Sequence, residues 1–116
     1  MRTLRLAPFA LILALPAVAQ DLATTDAIKA AISGNTVQGS MTSSGAYTEY
    51  YAADGVIKGA DYTGAWTVDG DKMCFAYGSD PATCYGVKIG GDQVTWVGAS
   101  GDEGTGTILP GNPNSW

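Results

Sequence analysis

Apolar and polar positions alternate along most of the chain after Asn35. Short runs rich in Tyr, Val, Thr and Trp are cut at regular intervals by turn sequences such as Asp54-Gly55, Asp69-Gly70 and Gly90-Gly91. Strands of this length, joined by tight turns, pair in antiparallel fashion with their neighbours in sequence. We therefore predict a mainly β domain, an antiparallel meander that forms a small barrel or a sandwich.

One segment ahead of the strands has a helical period instead. Ile28 and Ile32 recur on one face, Thr24 or Thr25 is a suitable N-cap, and a Gly-Asn pair follows as a stop signal. The pattern predicts a short helix over about residues 24–33 that packs on the sheet.

The turns also predict a register. Two-residue loops at the Asp-Gly and Gly-Gly turns, with the two cysteines directly opposite, place Trp66 opposite Met73, Met73 opposite Tyr85, and Tyr85 opposite Trp96. These four residues form a predicted core row. Strand alternation adds further residues to that face: Val68, Phe75, Val87, Ile89 and Val94. The opposite face is predicted to be polar and solvated, and it carries Thr67, Cys74, Cys84, Lys88 and Thr95.

Three tyrosines in one predicted strand are candidate binding residues. Alternation places Tyr47 and Tyr51 on one face and Tyr50 on the other. Exposed tyrosines provide contact area for a ligand or a partner at low entropic cost. The alternative is that all three are core or rim residues whose hydroxyl groups meet water.

Cys74 and Cys84 are the two cysteines of the chain. Two thiols alone make a poor zinc site, and a catalytic thiol needs an activating base that is commonly histidine, which the chain lacks. We predict a structural disulfide between them that clips one hairpin from outside.

Composition narrows the chemistry further. Eleven Asp and Glu residues outnumber six Lys and Arg, for a formal net charge of −5, so nucleic acid and anionic lipid are poor partners. The absence of histidine removes the commonest general base and transition-metal ligand. Asp69 with Asp71, and Asp102 with Glu103, lack the spacing of a calcium loop. We expect no catalytic motif, no metal and no cofactor.

The first nineteen residues have the order of a cleavable secretory signal. Arg2 and Arg5 precede an apolar run from Leu6 to Leu15, and Ala17-Val18-Ala19 follows. The alternatives are an uncleaved anchor, which would need a longer apolar stretch to span a bilayer, and a buried helix. We predict cleavage between Ala19 and Gln20, a periplasmic or secreted protein without stable membrane insertion, and a single domain over residues 20–109. Residues 110–116 contain two prolines and are predicted to form an extended tail.

Much of the chain resembles a group of small exported proteins of Gram-negative proteobacteria whose function is unknown. The shared pattern is an aspartate-glycine turn, glycine-x-tryptophan, glycine-aspartate and two cysteines. It lies in Glu49 to Gly59, Tyr62 to Phe75, Cys84 and Asp92 to Trp96. The resemblance implies a β-rich fold and an envelope location, with no activity to carry over. In size, in Gly64-Ala65-Trp66 and in its cysteine pair, the chain is also similar to small periplasmic barrels that inhibit proteases or lysozyme.

Three functional hypotheses follow. The first is a non-enzymatic accessory or binding module of the periplasm. Its partner is unknown from the sequence, and an envelope or secreted protein is the candidate. The second is an inhibitor of a periplasmic protease or lysozyme, in which acidic charge steers association with a cationic enzyme. The third is a carboxylate-dependent hydrolase, which requires carboxyl groups that converge in a pocket.

Overall fold

A computed structural model describes residues 21–116 as a closed eight-stranded barrel with one helix. Every strand pairs antiparallel with the next one in sequence, and β1 also pairs with β8 to close the barrel. The barrel form of the predicted meander is thus the one observed. The elements are α1 (Thr25–Ile32), β1 (Asn35–Met41), β2 (Gly45–Tyr51), β3 (Val56–Lys58), β4 (Thr63–Asp69), β5 (Lys72–Ala76), β6 (Thr83–Gly90), β7 (Gln93–Gly98) and β8 (Gly101–Leu109).

The helix closes one end of the barrel. The side chain of Thr24 caps it by accepting a hydrogen bond from the backbone N–H of Ala27 (3.3 Å). Ile28 and Ile32 are fully buried and belong to the barrel core. The carboxylate of Asp71, in the β4–β5 turn, accepts hydrogen bonds from the backbone N–H (2.7 Å) and the hydroxyl (2.9 Å) of Thr25. These contacts fix the helix against the turns at this end, which we call the closed end.

The connectivity places the remaining turns. Because the strands run alternately in opposite directions, the turns that follow even-numbered strands lie with the helix at the closed end. The turns that follow β1, β3, β5 and β7 lie at the other end, which we call the open end.

The predicted register of two hairpins is wrong by two residues. Trp66 pairs with Phe75 rather than Met73, and Trp96 pairs with Val87 rather than Tyr85. The loops are centred one residue later than predicted, on Gly70-Asp71 and Gly91-Asp92, because Asp69 still pairs with Lys72 and Gly90 with Gln93. Both central residues of the first loop have positive φ (59° and 61°), as a type I′ turn requires.

The predicted inner and outer faces of the strands are still correct, because a register shift of two residues leaves every side chain on the same face of the sheet. Trp66, Met73, Phe75 and Trp96 are all buried in one core cluster. Met73 lies opposite Tyr85 as predicted, but the four members of the proposed row do not form one continuous line of cross-strand pairs.

The disulfide between Cys74 and Cys84 is present, and the two residues are direct cross-strand partners. It joins β5 to β6 on the outer face of the barrel. Cys84 is exposed, whereas Cys74 is largely covered, so this face is less solvated than its polar composition predicts.

The tail leaves the sheet after Leu109 but is not extended. Asn112 holds a turn in which its side chain accepts from the backbone N–H of Trp116 (3.2 Å) and donates to the carbonyl of the same residue (2.8 Å). The backbone of Gly111 is tied to β1 through Asn35 and Thr36. The predicted signal sequence, residues 1–19, lies outside the described residues. None of the helical structure within 21–116 is long and apolar enough to cross a membrane.

Candidate functional site: a tyrosine-lined pocket with a buried carboxylate

A cavity of about 480 Å³ occupies the open end of the barrel, and we call it the mouth pocket. Its rim comes from the turns of this end, including Ser43, Tyr62, Asp80 and Pro81. Its inner wall is largely aromatic: Tyr47, Tyr51, Phe75, Tyr77, Tyr85 and Trp96. A volume in this range suits a small organic ligand.

The inner part of the mouth pocket contains a carboxylate, that of Glu49. This residue is only 6% exposed, and within residues 21–116 it is the one charged side chain that is buried. Its position follows from strand geometry, because Glu49 lies two residues from both Tyr47 and Tyr51 and shares their inward face.

Three phenol groups converge on this carboxylate. Tyr51 donates its hydroxyl hydrogen to Oε1 (2.6 Å) and Tyr62 donates to Oε2 (2.6 Å). The hydroxyl of Tyr77 lies within hydrogen-bond distance of both oxygens (2.9 and 2.8 Å). Hydrogen bonds to an ionised acceptor are among the stronger ones in proteins, so this arrangement holds the carboxylate and the three rings in fixed positions.

The glycine of the Gly-x-Trp sequence makes room for one of these rings. Gly64 faces into the barrel, and a Cβ atom there would lie 2.7 Å from Cδ1 of Tyr77 and 2.9 Å from the carbonyl oxygen of Ala76. A side chain at this position would therefore displace Tyr77. Tyr77 and Tyr62 pack edge to face, with ring centroids 6.0 Å apart.

A second hydrogen-bonded pair fixes the other side of the pocket. The indole N–H of Trp96 donates to the hydroxyl of Tyr47 (2.8 Å), which in turn donates to the carbonyl of Thr105 (3.0 Å). Gly106 leaves space for this hydroxyl, since a Cβ there would approach it to 2.5 Å. Phe75 packs edge to face against Trp96, with centroids 5.2 Å apart.

The electrostatics of the mouth pocket favour neutral phenols. The pKa values of Tyr51, Tyr62 and Tyr77 are raised, mainly because the phenols are buried. The negative charge of Glu49 and the hydrogen bonds to it raise these pKa values further. Burial also raises the pKa of Tyr47, against a smaller lowering by the hydrogen bond from Trp96. The pKa of Tyr85 is raised by burial and by the nearby charge of Glu103.

No cation of the described chain neutralises Glu49. Neither Lys nor Arg lines the mouth pocket as residues 21–116 form it. Lys29 lies on the helix and Lys72 beside a turn, both at the closed end, whereas Lys88 pairs with Asp102 at 3.6 Å outside the barrel. Lys58 is the cross-strand partner of Tyr50 and shares its outer face.

The structure separates the three tyrosines singled out from the sequence. Tyr47 and Tyr51 both line the mouth pocket, while Tyr50 lies on the outer surface of β2 away from it. The alternation that predicted these two faces is confirmed. The core row is divided as well, because Tyr85 and Trp96 reach the pocket whereas Met73 is fully buried and Trp66 packs on Tyr51.

Sequence reasoning missed Glu49, Tyr62 and Tyr77. A signal for Glu49 was present, since it is a charged residue at an inward position between two inward tyrosines. Tyr62 and Tyr77 lie in the segments just before β4 and just after β5, where alternation no longer fixes direction. Their convergence on Glu49 depends on how the sheet curves between β2 and β5, which alternation along a single strand does not predict.

The described part of the chain holds no group of three or more His, Cys, Asp or Glu side chains placed to bind a metal ion. Comparisons with protein-family models, with curated proteins and with solved structures found no match for this chain.

Proposed function

We propose that this protein is a small-molecule binding module whose site is the mouth pocket. The observation that carries the proposal is the fixed Glu49 carboxylate at the inner wall of an open aromatic cavity. An eight-stranded barrel is commonly filled by its own side chains. Here inward glycines such as Gly64 and Gly106 make room for the side chains of Tyr77 and Tyr47, which line the cavity at the open end, while the helix fills the closed end. A small number of oriented polar groups within an apolar wall is typical of ligand sites.

The proposed location of this module is the periplasm or the extracellular space. The disulfide supports an oxidising compartment. The sequence features of residues 1–19 support export. Mass determination of the protein recovered from the envelope fraction tests this, with Gln20 as the expected first residue.

A second candidate function is inhibition of a periplasmic hydrolase with a cationic surface. It is favoured by the acidic character of the open end, where Asp80 at the rim adds to the charge of Glu49. The purified domain, added at micromolar concentration to a lysozyme or an envelope protease, should then reduce turnover. Unchanged turnover across such hydrolases would remove this candidate.

The binding proposal is tested by nuclear magnetic resonance with a library of small molecules divided into cationic, neutral and anionic sets. A matched pair of variants locates the site. Thr83→Trp adds a large side chain at an exposed position in the lining of the mouth pocket, and Thr67→Trp adds the same side chain to an exposed position on the outer face. Both are strand positions that favour aromatic residues.

We expect at least one ligand to shift the resonances of Tyr47 and Trp96 in the wild type and in Thr67→Trp, and not in Thr83→Trp. The proposal is wrong if no ligand of any charge shifts them. It is also wrong if every ligand binds Thr83→Trp as tightly as the wild type.

A further inference from the structure

The geometry points to a ligand that carries a positively charged ammonium group, held in the mouth pocket with Glu49 as its counter-ion. This inference rests on the proposed function and adds the chemical class of the ligand. Three independent features of the pocket support it: an uncompensated buried charge, a surplus of hydrogen-bond acceptors, and aromatic rings at the walls.

The first feature is the charge. Transfer of a carboxylate away from water without an opposite charge is costly, and hydrogen bonds from neutral phenols offset only part of that cost. Glu49 has three such phenols and no Lys or Arg within the pocket formed by residues 21–116. A ligand with a positive charge supplies the missing partner, whereas an anionic ligand is repelled.

The second feature is the balance of donors and acceptors. The hydroxyl hydrogens of Tyr51, Tyr62 and Tyr77 are directed to Glu49, and that of Tyr47 is directed to the carbonyl of Thr105. A phenol oxygen that donates its hydrogen still has lone pairs to accept with. The inner pocket therefore offers acceptors that Glu49 polarises, and a ligand must bring donors. An ammonium group brings up to three.

The third feature is the wall. Tyr62 and Tyr77 present rings beside the carboxylate, and Phe75, Tyr85 and Trp96 line the same cavity. The faces of aromatic rings attract cations, an effect that strengthens when water is excluded. Asp80 at the rim adds negative potential along the entrance. An apolar body attached to the ammonium group has these rings to pack on.

A purely structural role for the cluster predicts something different. A satisfied polar network can serve to fix one packing of a core. In that case, substitution of Glu49 alters the free energy of unfolding, and the pocket shows no preference for ligand charge. The two readings are separated by measuring ligand selectivity as well as stability.

The test uses three ligands of similar shape that differ in charge: 2-phenylethylammonium, the neutral 2-phenylethanol and the anionic 3-phenylpropanoate. Dissociation constants are measured by calorimetry for the oxidised protein. We expect the amine to bind at least about tenfold more tightly than the alcohol, in line with the greater strength of charge-assisted hydrogen bonds, and the anion to bind most weakly.

Two variants identify the group responsible. Glu49→Gln keeps the shape of the side chain and removes its charge, so the preference for the amine over the alcohol should fall to about threefold or less. Asp92→Asn removes one negative charge at an exposed turn of the closed end. In this variant the preference for the amine over the alcohol should stay within about twofold of that of the wild type. Urea unfolding of both variants confirms that each is folded.

The wild-type measurement alone is decisive even where Glu49→Gln fails to fold. Equal or tighter binding of the alcohol or the anion overturns the inference and leaves the binding proposal standing. Absence of binding by all three also overturns it, and the broader library then decides the binding proposal. Retention of the full preference in folded Glu49→Gln overturns the role of Glu49.

The same ammonium chemistry is available from a free amine or from a lysine side chain of another protein. Competition by an acetylated Gly-Lys-Gly amide peptide distinguishes the two sources. Displacement of the amine by the peptide at equal concentration indicates a protein lysine, and failure to displace it indicates a free small molecule.

Discussion

At the scale of single residues, the unusual feature is Glu49, whose carboxylate is buried at a cost in free energy and is surrounded by phenol groups. Buried charged side chains are rare unless they are paired, and Glu49 is buried with phenols as its partners. The alternation of β2 was enough to predict that Tyr47 and Tyr51 share a face. It could not predict that this face lines a cavity, because the other walls of the cavity come from distant strands, through residues such as Phe75 and Trp96.

The tyrosines around Glu49 give the protein a pH-dependent stability in the alkaline range. The pKa of Tyr47, Tyr51, Tyr62, Tyr77 and Tyr85 is raised in the folded state above the ordinary value near 10. Between that value and the raised pKa, the unfolded chain has lost protons that the folded one keeps. The contribution of these tyrosines to the free energy of unfolding should therefore be fully present below about pH 10 and should be lost as the pH rises beyond it.

Alkaline titration of phenolate absorbance checks this. In Glu49→Gln the phenols of Tyr51, Tyr62 and Tyr77 should ionise at lower pH than in the wild type, because the charge that raises their pKa is gone, while burial still keeps them above the ordinary value. Identical titration curves for the two proteins would contradict the placement of Glu49 among these phenols.

Trp66 is the residue whose truncation should damage the core most clearly. It is 6% exposed, packs edge to face on Tyr51 with centroids 6.3 Å apart, and donates its indole N–H to the carbonyl of Ala52 (2.9 Å). Trp66→Ala should lower the free energy of unfolding by about 3 to 5 kcal/mol, measured by urea denaturation. The matched control is Trp116→Ala in the half-buried tail, where we expect a loss below about 1 kcal/mol. A similar small loss for Trp66→Ala would place its ring outside the core.

At the scale of elements, the faces of the strands could be predicted more reliably than their register. The turn positions and the alternation along each strand assign Trp66, Phe75 and Trp96 to the inner side, and an error of two residues in a hairpin leaves that assignment intact. The register itself depends on which two residues form the loop. At Gly70-Asp71 the aspartate takes a positive φ of 61°, a conformation that Asp can adopt but that the sequence does not require, so the sequence is equally compatible with a loop at Asp69-Gly70.

The disulfide should stabilise the β5–β6 hairpin, whose connection carries Tyr77 and Asp80 into the mouth pocket. It closes a loop across a sequence separation of 10, for which the chain-entropy model gives about 2 to 3 kcal/mol. Replacement of both Cys74 and Cys84 by alanine should lower the free energy of unfolding by that amount. Thr67→Ala, on the adjacent outer position, serves as the control and should change it by less than about 0.5 kcal/mol. A loss below about 1 kcal/mol in the double variant would show that the hairpin does not depend on the bond.

At the scale of the whole molecule, the two ends of the barrel differ in what occupies them. The helix inserts Ile28 and Ile32 into the closed end, and the open end keeps the mouth pocket. The meander was predictable from the spacing of turns. The helix was predictable from its apolar period, and the disulfide from the presence of two cysteines in a chain without histidine. Closure between β1 and β8 was not, because it depends on pairing between the first and last strands, which turn chemistry does not encode. Tyr62, Tyr77 and Glu49 meet through the curvature of the sheet from β2 to β5, which turn chemistry does not encode either.

The most direct test of the account follows the carboxyl carbon of Glu49 by nuclear magnetic resonance while 2-phenylethylammonium is added to the oxidised wild-type protein. We predict a saturable shift of this resonance, together with the ring resonances of Tyr62 and Tyr77, at one ligand per protein. The contradicting result is a Glu49 resonance that does not shift, even when the ligand is concentrated enough to saturate the resonances of other residues. Such a result would exclude Glu49 as the counter-ion of a ligand in the mouth pocket.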